Sequence, residues 1–82
     1  MPTVLRADGF QVRIRLPPRE HGPAHVHVRK SGTAVIINLP DGDQPLTIRR
    51  VRGMSAADVV AAFRLVDVNV ELLLKEWRRY HG

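Results

Sequence analysis

Cysteine is absent from this 82-residue chain, which excludes a disulfide scaffold, a thiolate zinc finger and a thiol nucleophile. Long apolar runs are absent too: the uninterrupted stretches are a few residues long, against the roughly 20 needed to cross a bilayer. The start, Met1-Pro2-Thr3-Val4-Leu5-Arg6, has no charged lead followed by an apolar segment, so no secretory signal is expected. Internal repeats, low-complexity tracts and linker-like segments are missing as well. These absences leave one soluble domain over residues 1–82, expected in the cytoplasm and without membrane association.

Lysine is scarce. Lys and Arg together number 13 against 8 Asp and Glu, a formal charge of +5, yet only Lys30 and Lys75 are lysines. The guanidinium is a planar fork of donors suited to phosphate and carboxylate oxygens, so a polyanion is the expected partner, RNA foremost. A GC-rich genome also enriches arginine, and the placement of the residues has to decide. The remaining composition, 44% apolar and 26% charged, is that of a folded globular chain. A chain this short has a modest core, and small domains often lean on a partner or a second copy of themselves.

The first half reads as strands. Ala7-Asp8-Gly9 is a tight turn, because Asp-Gly supplies positive-φ positions. From Phe10 to Leu16 the pattern alternates, with Phe10, Val12, Ile14 and Leu16 on one face and Gln11, Arg13 and Arg15 on the other. Pro17 to Pro23 is a loop carrying Arg19, Glu20 and His21. His25 to Lys30 alternates again, Val26 and Val28 opposing His25, His27 and Arg29. Ser31-Gly32 forms a second turn. Ala34 to Leu39 is apolar on both faces and reads as a more central strand. Residues 40–45 form a loop, and Leu46 to Arg50 adds a weakly patterned edge strand.

The second half changes period. Ser55-Ala56-Ala57-Asp58 has the form of a capping box. Val59, Phe63, Val66, Val70, Leu73, Trp77 and Tyr80 then recur at helical spacing, an apolar stripe on which Trp77 and Tyr80 are core residues. One helix of roughly 37 Å would result, or a kinked one, since the β-branched run around Asp67-Asn69 favours a break. Leu72 and Leu74 widen the apolar surface beyond the stripe and are candidate partner contacts. The fold class is α+β: a small antiparallel sheet of three to five strands (residues 1–50) with a long C-terminal helix (55–80) on one face.

Three of the four histidines, His21, His25 and His27, lie within seven residues. Three imidazoles so close can chelate a divalent transition metal, with Glu20 as a further donor. A metal-free reading needs no cofactor. Pairing of neighbouring strands puts His25 and His27 on one face with Arg13, Arg15 and Arg29, and Lys30 adjoins them. Histidine can serve as general acid and base, and arginine can bind phosphate and stabilise charge developing on it. Such a face either cleaves RNA through its 2′-hydroxyl or binds phosphates without cleaving. Arg49, Arg50 and Arg52 form a second basic run, a solvated edge or an extension of the phosphate track. His81 is expected to face solvent.

The opening Met1-Pro2-Thr3-Val4-Leu5-Arg6, the Asp8-Gly9-aromatic turn, and His21-x-Pro23-x-His25-Val26-His27-Val28 resemble the small prokaryotic domain-of-unknown-function 4160 family. Gly53-x-Ser55, Asn69-x-Glu71-Leu72-Leu73 and Trp77-x-x-Tyr80 extend the resemblance over nearly the whole chain. It departs at Gly32-Thr33-Ala34-Val35-Ile36-Ile37, where relatives commonly have Gly-Glu-Ala and an aromatic strand, and at Ala24, where they have Pro. The resemblance implies a small protein encoded beside another small protein, in arrangements like toxin–antitoxin pairs, with no established enzymatic activity. Three functions follow as expectations: a toxin-like nucleic-acid-binding module in which His25 and His27 are acid and base and the arginines hold phosphate; a non-enzymatic module docking its operon partner through Leu72 and Leu74; or a metal-binding protein using His21, His25 and His27.

Overall fold

Two tight turns organise the sheet. Asp8 and Gly9 both have positive φ (52° and 82°), as do Ser31 and Gly32 (47° and 78°). Two successive positive-φ residues match the right-handed twist of the strands they join. The first turn connects β1 (Thr3–Ala7) to β2 (Phe10–Arg13), and the second connects β3 (His25–Lys30) to β4 (Thr33–Asn38). With β5 (Thr47–Arg52) they form an antiparallel sheet in the order β1-β2-β3-β4-β5. The computed structural model describes residues 2–16 and 22–81. Arg19, Glu20 and His21, expected in a loop, lie outside the described residues.

Side-chain alternation sorts the strands into two faces. Val12 pairs with Val28, Val28 with Val35 and Val35 with Val51, while Val26 pairs with Ile37 and Ile37 with Ile48. On β2, β3 and β4 this face, together with Phe10, Ile14 and Leu39, is buried beneath the helices, while Ile48 and Val51 of β5 stay 44% and 45% exposed. Ile14 continues the alternation past the end of β2, its N–H bonded to the carbonyl of Pro2 (3.2 Å). Leu16, expected on the same face, is 45% exposed. The ladder between β2 and β3 ends at Arg13 and His27, so nothing holds Leu16 against the core.

The helical half begins where the cap predicts. Ser55 is the N-cap of α1 (Ala56–Val68), and its Oγ accepts from the Asp58 N–H (3.2 Å). The Asp58 carboxylate does not complete the reciprocal box; it pairs with Lys30 Nζ at 3.2 Å and ties the helix start to the end of β3. The single long helix is replaced by two, since Asn69 leaves helical geometry (φ −112°, ψ 16°) between α1 and α2 (Val70–His81). Its Nδ2 donates to the Leu65 carbonyl (2.8 Å), a local bond of the kind that lets asparagine compete with helix continuation. The break comes directly after the β-branched run and lets both helices reach one small core. Ala62 and Val66 of α1 and Leu73 and Trp77 of α2 are buried in it, with Val59, Phe63, Val70 and Tyr80 packed around them. No helix among the described residues is long and apolar enough to cross a membrane.

Adjacent leucines offer a direct check on this packing. Leu73 is fully buried, whereas Leu72 is 41% exposed. Leu73→Ala is expected to lower unfolding free energy by about 2–5 kcal/mol, and Leu72→Ala by under about 0.5 kcal/mol, read from urea denaturation. Similar losses would contradict the helix orientation.

Candidate functional site

The face opposite the helices is built from the other half of each alternation. Across it runs a row in which Arg13 is paired with His27, His27 with Ile36 and Ile36 with Arg50. A parallel row joins Gln11, Arg29 and Ala34. Three interstrand spacings separate Arg13 from Arg50, roughly 14 Å. Between β4 and β5 the register shifts, Ile36 pairing with Arg50 and Ile37 with Ile48. Arg49 is thereby the extra residue of a bulge, and its Nε donates to Asn38 Oδ1 (2.8 Å). The bulge returns Arg50 and then Arg52 to the open face.

Charge on this sheet has one sign. The five strands contain Arg6, Arg13, Arg29, Lys30, Arg49, Arg50 and Arg52 and not one acidic residue. Arg29, Arg50 and Arg52 enter no ion pair among the described residues. They border two adjoining hollows of about 180 Å³ each. One is lined by Arg15, His27, Ala34, Ile36, Arg50 and Arg52. The other shares Arg15, His27, Ala34 and Arg52 and adds Arg29 and Gly32. Each is smaller than the roughly 300–1,000 Å³ of a typical small-molecule pocket and of a size for an anionic group. Beside them Arg13 Nη2 donates to Gln11 Oε1 (2.7 Å), while the buried Arg13 Nε has no hydrogen-bond partner among the described residues.

The two histidines occupy different positions on this face. His27 lies at the floor of the hollows and is 7% exposed. His25 is 1% exposed; its Nδ1 donates to the Pro23 carbonyl (2.8 Å), which fixes the proton on that nitrogen in the neutral ring. The His25 ring stands edge-on to His27 at 5.3 Å and 5.1 Å from the Trp77 ring, centroid to centroid. His81 does not simply face solvent. It stacks on Trp77 at 3.8 Å with 9° between planes, and its Nε2 donates to the Arg15 carbonyl (2.7 Å). The end of α2 is thus clamped over the end of β2 and the start of β3. A continuous set of ring contacts leads from His81 through Trp77 and His25 to the floor of the hollow.

The structure groups the expected residues unevenly. Arg13, Arg15, Arg29, His25 and His27 share one face. Lys30 does not: alternation turns it to the helix side, where it meets Asp58 and sits over the Phe10 ring at 4.9 Å. Leu72 is exposed, while Leu74 is half-buried against the core. Among the described residues no three His, Asp or Glu side chains converge as a metal site, and His21 lies outside them. Arg50 and Arg52, read from sequence as a solvated edge or an extension of the phosphate track, are carried to His27 by β-pairing through Ile36.

Fold and site define a class: a small α+β protein with one helix-covered sheet face and one arginine-lined face. Residues 9–78 match the family model described as Domain of unknown function (DUF4160), and the chain belongs to that family. No curated protein and no solved structure matches it.

The burial of His25 gives it a structural cost that the arginines lack. His25→Ala removes packing and strands the Pro23 carbonyl, and is expected to lower stability by about 2–4 kcal/mol. Arg50→Ala should stay within about 0.5 kcal/mol. Thermal and urea unfolding of both variants measure this, and a silent His25→Ala would contradict the clamp.

Proposed function

We propose that the arginine-lined sheet face is a binding surface for the phosphate backbone of RNA. One observation carries the reading: Arg15, Arg29, Arg50 and Arg52 surround His27 on a sheet whose strands hold no acidic residue. Backbone contacts of this kind release condensed counterions, so affinity falls with salt. Recognition is of phosphates and not of bases. The aromatic residues Phe10, Phe63, Trp77 and Tyr80 belong to the core or pack against it and none is exposed, whereas single-strand binders rely on exposed aromatics for stacking. A duplex, whose regular backbone needs no stacking platform, is therefore the better fit.

The sheet face binds RNA without cleaving it. Transesterification through a 2′-hydroxyl needs one group to take a proton and another to give one. Among the described residues His27 is the only imidazole lining the hollows. His25, behind it and closed from solvent, is a positioning residue for the His27 ring.

Fluorescence anisotropy with a labelled RNA duplex of about 16 base pairs tests the reading. The wild type should bind with little dependence on sequence and with a linear fall of log affinity against log salt. Replacing both Arg50 and Arg52 by Ala should weaken binding about tenfold or more and reduce the salt slope by about 1–2. Lys30→Ala, on the other face, should change affinity less than about twofold. Equal effects of the two changes, or no salt dependence, would reject the sheet face as the interface.

A further inference from the structure

β5 differs from the other strands in that all six of its residues are exposed. It ends the strand order, and among the described residues it pairs only with β4. An exposed edge presents unpaired N–H and C=O groups and is a template for a further strand. Its two faces have opposite chemistry. Ile48 and Val51 lie on the helix side, yet are 44% and 45% exposed, because α1 covers β4 and leaves β5 open. Arg50 and Arg52 lie on the open side and line the hollow.

The same residues choose the occupant. A second copy pairing antiparallel through β5, centred between Arg49 and Arg50, would set Arg49 opposite Arg50 and Thr47 opposite Arg52. Like charges directly opposite are destabilising, so the edge turns away its own copy. A strand alternating acidic and apolar residues meets both faces at once. We propose that β5 is a docking edge for an extended acidic segment of a partner protein. The segment adds as a further strand, its carboxylates over Arg50 and Arg52 and its apolar side chains against Ile48 and Val51. The geometry of β5 carries this without the nucleic-acid reading, and the segment would cover the hollow that contains His27.

The test titrates the isotope-labelled full chain with a capped peptide of alternating glutamate and valine, about eight residues long. Amide shifts and slowed hydrogen exchange are expected over residues 47–52, with the β1 edge unchanged. Methylating alternate peptide nitrogens keeps the charge and removes ladder donors, and should weaken binding at least about tenfold. The double variant R50E/R52E should lose a similar factor, its fold checked by circular dichroism, and a lysine–valine peptide should not bind the wild type. Failure of the parent peptide to bind overturns the proposal. So does equal binding by the methylated peptide, which would reduce the contact to charge alone. RNA binding is measured separately, and its loss or persistence leaves this result untouched.

Discussion

The structure depends on the burial of Val26 and Val28 in β3. Both are fully buried, and each deeply buried aliphatic side chain contributes roughly 1.5–3 kcal/mol through removal from water. Strand side chains alternate with a period of two, so these valines dictate where His25, His27 and Arg29 point. A slip of one residue would drive two histidines and an arginine into the core. The register is therefore held by hydrophobic burial, and the charged face is its obligatory counterpart. β2 and β4 obey the same partition: Val12 and Ile14, Val35 and Ile37 fix the positions of Arg13, Ala34 and Ile36 opposite them.

The helices complete the partition and reach across one end of it. Among the described residues α1 and α2 pack on the valine face, and the end of α2 reaches the opposite one at His25. The break at Asn69 redirects the chain so that Trp77 and His81 arrive where β2 ends and β3 begins. There the stacked pair closes over His25, and the His81 bond to the Arg15 carbonyl ties the last turn of α2 to the segment bearing one of the groove arginines. Core packing and the shape of the open face are linked through these rings.

Much of this was legible in the amino-acid order. Asp8-Gly9 and Ser31-Gly32 announce turns because positive φ is inexpensive for few other residues. The alternations of β2 and β3, the stripe from Val59 to Tyr80 and the Ser55 cap follow from period and hydrogen-bond chemistry alone. The convergence of Arg50 and Arg52 on His27 was not legible. It depends on long-range pairing through Ile36, and the bulge at Arg49 erases alternation in β5 by placing two arginines in succession. Lys30 shows the opposite case: neighbouring charge suggested the arginine face, although strict alternation from Arg29 already assigned it to the other. The burial of His25 by Trp77, and the stacking of His81, are tertiary contacts without a local signature.

In the proposed function one sheet face, and not the helices, meets the polyanion. Chemical-shift mapping of the labelled protein with an RNA duplex tests it most directly. Shifts are expected at His27, Arg29, Arg50 and Arg52, with Lys30, Leu72 and the exposed Val60 of α1 unmoved. Shifts confined to the helices, with the groove residues silent, would contradict it.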